Sequence, residues 1–224
     1  MTKSIISIYF MVLVTSSLIA QNDPLEEINF AMLIQMKGNS DNDIIGSPYL
    51  EQKFMPGLIY VNGEKKQNAY FRYNVKDDQV ELKVLPNQEE SYLLPREQKY
   101  SYRLKNYTYE LGDLNISGNG FEKGFVANYY ESENIKFIGK PFVKIAKAEP
   151  AKTGYGEAKP ASMSTSIKYY LSVKGEEFKE VSIKEKDFKN MLKNSSKIDA
   201  YLKDNKIKEV DDAVKFLKYY DSVE

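Results

Sequence analysis

The feature that most restricts the fold of this chain is a two-residue alternation of apolar and polar side chains that persists over most of its length. Phe71, Tyr73 and Val75 alternate with Arg72 and Asn74, while Val80, Leu82 and Val84 alternate with Glu81 and Lys83. Successive side chains of a strand point to opposite faces, so this period describes strands with one buried face. Lys76-Asp77-Asp78-Gln79 is a short polar connection that makes the two runs a hairpin. Residues 100–104 and 107–111 keep the same period but shift phase at Lys105-Asn106, as a β-bulge or a tight corner does. Further strands are expected at 125–130, 135–145, 166–173 and 178–183.

Turn chemistry separates these strands at Gly112-Asp113, Gly118-Asn119-Gly120 and Gly175-Glu176, and no helical pattern lies between them. A parallel α/β sheet is therefore not expected. The expected class is mainly β: an antiparallel meander rolled into a barrel-like or sandwich core, with a short C-terminal helical tail (α+β). After Ile183 the apolar spacing becomes helical. Phe188, Met191 and Leu192 mark a first helix. Ser196-Lys-Ile-Asp199 has the form of a capping box ahead of Ile198, Tyr201 and Leu202, and Asp211-Asp212 opens a last helix through Val214, Phe216, Leu217 and Tyr220. Helices this short are marginal alone and are expected to dock on the sheet or on each other.

Residues 1–20 read differently. One basic residue, Lys3, precedes an apolar run from Ile5 to Ala20, which stops at Gln21-Asn22-Asp23-Pro24. That is the layout of a secretory signal peptide cleaved after Ala20, and the run is short of the roughly 20 apolar residues a membrane span needs. Leu18 is large for its place before the cut, and an uncleaved anchor is the alternative. The expected organisation is thus a signal peptide (1–20), an antiparallel β domain (21–183) and C-terminal helices packed on it (184–224). The expected location is periplasmic or outer-membrane-associated, with no span left after cleavage. An outer-membrane barrel would close on a final strand, whereas this chain ends in a helical pattern.

The chain has no cysteine, so its core alone must hold it together. It also has no histidine and no tryptophan, against 18 tyrosines and 11 phenylalanines. These absences remove the Ser-His-Asp relay, the thiolate nucleophile and the ordinary zinc site. No cofactor-binding or metal-ligating set is legible, and the expectation is a protein that is not an enzyme. A carboxylate-based carbohydrate-active enzyme would need two facing carboxylates. The pairs on offer, Asp77 with Asp78 and Glu89 with Glu90, are sequence neighbours that read as solvated turns. Removing residues 1–20 takes away Lys3 alone, leaving 31 basic against 32 acidic residues, a charge of −1 that offers no field for nucleic acid.

Some segments carry local signals. Asp41-Asn42-Asp43 imitates the start of a calcium loop, yet Gln52 stands where the bidentate glutamate belongs. Residues 146–162 have almost nothing to bury and read as a long exposed loop in which Tyr155, between Gly154 and Gly156, stands out as a partner contact. Tyr70-Phe-Arg-Tyr-Asn74 is the other expected contact region, through Tyr70, Arg72 and Tyr73. Arg72 between aromatic rings can stack and can pair with Asp78 or Glu81; an ordinary cross-strand ion pair is the competing reading.

Gly46-Ser-Pro-Tyr-Leu50, Phe54-Met-Pro-Gly57-Leu-Ile59 and the run from Phe71 to Leu82 resemble a pattern of uncharacterised exported envelope proteins of Bacteroidota. The tail resembles them too, through Ile198, Tyr201, the lysines around Asn205 and Tyr219-Tyr220. The resemblance covers roughly 46–83 and 166–220 and implies an envelope location without an activity or catalytic residues. It also implies O-glycosylation at Asp-Ser/Thr followed by a small or aliphatic residue, which Asp221-Ser222-Val223 matches at Ser222. The function expected is therefore a protein-binding or accessory component whose partner is an outer-membrane or periplasmic protein. The alternative is a carrier of a small apolar ligand or lipid in a β cavity, and an open aromatic-lined pocket separates it from a filled core.

Overall fold

The computed structural model describes residues 44–150, 158–192 and 196–223. Its strands are β1 (Ile45–Gly46), β2 (Met55–Val61), β3 (Glu64–Asn74), β4 (Gln79–Lys83), β5 (Tyr92–Leu93), β6 (Tyr100–Leu104), β7 (Tyr107–Ile116), β8 (Gly120–Glu131), β9 (Ile135–Ala146), β10 (Ser162–Val173) and β11 (Lys179–Val181). Three helices follow: α1 (Glu185–Met191), α2 (Ser196–Asp204) and α3 (Val210–Val223). The alternating runs are strands and the helical runs are helices, so the fold is mainly β with a helical tail.

Ten strands lie side by side in the order β1-β10-β9-β8-β7-β6-β2-β3-β4-β5 and curl into a half-barrel, with β11 added against β10. The expected single meander is in fact two, β2 to β5 and β6 to β10, joined where β6 lies antiparallel to β2. To reach that place the chain returns from the β5 edge: the Leu94 amide donates to the Val80 carbonyl, Arg96 pairs with Asp78, and the Asn62 amide donates to the Lys99 carbonyl. β1 is parallel to β10, which makes the sheet mixed.

Turn chemistry sets the registers. Asn62 and Gly63, both at positive φ (52° and 79°), join β2 to β3 as a two-residue hairpin turn. Lys105-Asn106 is likewise a two-residue turn, with Leu104 opposite Tyr107. The phase shift there is a chain reversal, the tight corner of the two alternatives and not a bulge within one strand. Residues 147–150 and 158–160 continue β9 and β10 as an exposed ladder closed by Glu149 and Lys159, so the expected open loop is a hairpin arm at its base.

One row of residues crosses the inner face of the sheet: Gln67, Ile59, Tyr102, Tyr109, Ala127, Gly139 and Tyr169, each opposite the next. On the β2–β8 side of this row, Phe71, Tyr73, Val80, Leu82 and Phe125 complete the first core. On the β9–β10 side, Ile135, Phe137, Leu171 and Val181 receive Phe188, Ile198, Leu202, Phe216 and Leu217 from the three helices. The helical tail therefore roofs the half of the concave face that the curled sheet leaves open. Tyr129 packs against both cores.

The β3–β4 hairpin departs from its expected single buried face. Val80, Glu81 and Leu82 are all buried, because the segment carrying Tyr49 and Phe54 crosses the outer face and puts both rings against Arg72. Its turn is solvated at Lys76 and Asp77 but not at Asp78. Asp78 accepts from the Tyr73 hydroxyl and from the Phe125 amide (3.1 Å) and pairs with Arg96, plugging the free edge of β8 where β8 parts from β9.

Candidate functional site

Arg72 is engaged within the fold through its ring faces and Nη2, while its Nε is buried without a hydrogen-bond partner among the described residues. Its guanidinium lies 3.7 Å from the Tyr49 ring centre and 4.5 Å from that of Phe54, and its Nη2 donates to Glu81 Oε2 at 2.6 Å. The other Glu81 oxygen accepts from the Tyr49 hydroxyl at 2.7 Å, and burial followed by this carboxylate pushes the Tyr49 phenol up to about 12. The cross-strand pair expected with Glu81 is present, and Asp78 pairs with Arg96 instead. Tyr70 is half-buried on β3. Tyr73, expected as a contact residue, is a core residue at 2 % exposure with its hydroxyl on Asp78, because it points to the face opposite Arg72. Tyr155 lies outside the described residues. Ser222 is exposed on α3, and its hydroxyl donates to the Tyr219 carbonyl at 2.7 Å.

The interior of the half-barrel is filled by rings. Phe71, Tyr102 and Tyr109 form a column with centres 4.9 and 4.8 Å apart, and Phe125 closes on Tyr102 edge-on. Ring contacts continue without a gap from Tyr109 through Tyr107, Tyr129 and Phe137 to Phe188 and Phe216. Such edge and offset contacts each add a fraction of a kcal/mol to about 1.5 kcal/mol beyond area burial.

Glu51 is the anomaly in this aromatic setting. Its Oε1 accepts weakly from the Tyr109 hydroxyl at 3.4 Å, and its Oε2 is buried with no hydrogen-bond partner among the described residues. Burial raises its carboxyl, against the opposing pull of the Glu51 and Tyr73 backbone amides, the Tyr109 hydroxyl and, last, Lys105. The Tyr102 hydroxyl is also buried and unpartnered. Desolvation raises Tyr102, Tyr107, Tyr109 and Tyr129, followed by the charge of Glu51 at Tyr102 and Tyr107 and by neighbouring tyrosines ahead of Glu51 at Tyr109 and Tyr129, so these phenols stay neutral.

Open space begins where these tyrosines meet the helices. A cleft of about 330 Å³ is lined by Lys105 and Asn106 of the β6–β7 turn, by Tyr107, Tyr129, Ile167 and Tyr169 of the sheet, and by Glu209, Val210 and Asp211 at the start of α3. The rings stand at steep angles: Tyr107 and Tyr129 are 5.1 Å apart at 63°, Tyr129 and Tyr169 5.9 Å apart at 46°. Gly139 makes this possible. A Cβ there would meet Tyr129 Cε2 at 2.6 Å, so only glycine lets the Tyr129 ring lie across β9. Glu209 and Asp211 are exposed and form no ion pair among the described residues.

A second hollow of about 310 Å³ is lined mainly by polar residues, with Phe121, Ile135 and Phe178 among them. It lacks a ring cage. Among the described residues no His, Cys, Asp or Glu cluster is placed to hold a metal ion, and no helix is long and apolar enough to cross a membrane.

Sequence reasoning did not single out Glu51, Tyr107, Tyr129 or Tyr169. Their convergence depends on three separate strands and a helix start, and the one local signal was the two-residue turn ahead of Tyr107. Comparison of the chain with protein-family models, with curated proteins and with solved structures finds no match.

Proposed function

We propose that this chain is an exported binding protein of the cell envelope, an accessory component that holds a partner protein at the tyrosine-lined cleft. The observation that carries this reading is the open cage of Tyr107, Tyr129 and Tyr169 at the seam between the two cores. Aromatic side chains that are rigid, half-buried and accessible are what protein interfaces use as anchors. The export part of the reading rests on residues 1–20 and the resemblance to envelope proteins. A lipid or apolar-ligand carrier is less well supported, since stacked rings occupy the interior that such a ligand would enter and the remaining cleft is lined by Lys105, Glu209 and Asp211 as well as by rings.

A photo-crosslinking residue placed at exposed Asn106, on the rim of the cleft, tests this in the envelope fraction. We expect one discrete adduct that is absent when the residue is placed at exposed Lys123, far along the β7–β8 hairpin, and that is lost in Tyr169→Ala. Adducts independent of position would overturn the reading.

A further inference from the structure

The structure already contains one filled example of cation recognition. Arg72 sits between the rings of Tyr49 and Phe54 with Glu81 as its counter-ion. The mouth cleft repeats these ingredients, rings and carboxylates, without an occupant from the described residues. Tyr129 meets Tyr107 edge-on at 63° and Tyr169 tilted at 46°, so the rings form neither the parallel slot that suits a flat guanidinium nor the open platform that suits a sugar face.

The electrostatics point the same way. Asp211 and Glu209 face the space from the α3 side. Lys105 is the one cation of the lining, and it is exposed on its turn. The cleft therefore presents negative charge and neutral hydroxyls, all of them acceptors, with Ile167 and Val210 as apolar strips.

We propose that the cleft is a receptor for the ammonium end of a lysine side chain presented by a partner protein. Three N–H donors on one nitrogen match the carboxylates and hydroxyls, the ring faces attract the charge, and the methylene stem lies on Ile167 and Val210. The inference rests on the cleft being a binding site, as proposed above, and adds the chemistry of what enters it.

The probe is Nα-acetyl-lysine N-methylamide, titrated into the folded protein and followed by amide chemical shifts, with Nα-acetyl-norleucine N-methylamide as the uncharged isostere. We expect saturable shifts confined to Asn106, Tyr107, Ile167 and Val210, with the norleucine probe about tenfold weaker. The Glu209→Gln/Asp211→Asn double variant, on an exposed surface that does not bear the fold, weakens lysine binding about fivefold, and Lys105→Gln tightens it about twofold. Equal binding of the norleucine probe, tighter binding of the arginine counterpart, or no saturable shift overturns the inference. If the Asn106 adduct persists while the lysine probe fails, the cleft binds its partner by other chemistry; if both fail, the binding reading falls as well.

Discussion

Glu51 is held where its ionised form is least welcome. Its folded-state carboxyl is raised by burial, so the protonated form is the one the fold favours. For an acid raised in the folded state, the stabilising contribution is complete below the unfolded value and disappears as pH rises through the folded one. At neutral pH the buried charge thus weighs against folding. Glu51→Gln keeps an acceptor for Tyr109 and removes the charge, and we expect it to raise stability by about 1 kcal/mol at pH 7, with the gain shrinking toward zero as the pH is lowered through the Glu51 titration. Urea denaturation of both forms across acidic pH checks it, and a gain independent of pH would contradict the assignment. Tyr102, Tyr107, Tyr109 and Tyr129 do not titrate in that window, so the crossover reports this one group. Nothing in the sequence around Glu51 announces its burial, because the contacts that bury it come from β6, β7 and β8. Arg72 is the opposite case: its pairing with Glu81 follows from two strands and a short turn, all local, and was legible beforehand.

At the scale of elements, the tight approach of β8 to β9 decides the cleft. The Tyr129 ring lies over Gly139, and the Ile167 side chain stands 2.8 Å from the same would-be Cβ. Gly139→Ala should therefore cost about 2 kcal/mol by forcing the ring and β10 apart, and it should move the Tyr107, Tyr129 and Tyr169 signals of the cleft while leaving the distant Tyr49 and Arg72 stack unchanged. A variant as stable as the parent would mean that the ring moves freely. Strand and helix positions were readable because period and caps are properties of neighbours in sequence. The β2–β3 hairpin was not, although Asn62-Gly63 is strong turn chemistry, since Glu64-Lys65-Lys66-Gln67-Asn68 hides the alternation of β3 behind a polar run.

For the whole molecule, two cores share Tyr129 and one line of ring contacts. Phe216 is fully buried against Phe188 and Tyr201, so Phe216→Ala should cost about 3 to 4 kcal/mol. Because the helices roof Phe137 and Leu171 of the sheet, that loss should not melt the tail alone. We expect the near-ultraviolet dichroism of the stacked tyrosines and the helical signal to fall in one coincident transition, in the parent and in the variant. Separated transitions would show that the two cores fold independently.

The sequence by itself determined the class of fold and most element positions, since alternation, helical spacing and turn residues act through the nearest few positions. It also limited the chemistry, by omitting histidine and cysteine. Tertiary structure alone decided that β6 joins β2, that the helices cover the open half of the sheet, and that Tyr107, Tyr129, Tyr169 and Asp211 gather at one mouth. They join residues as far apart in sequence as Tyr107 and Asp211. They are selected by which apolar faces can be buried together, a global condition that no short stretch of chain expresses.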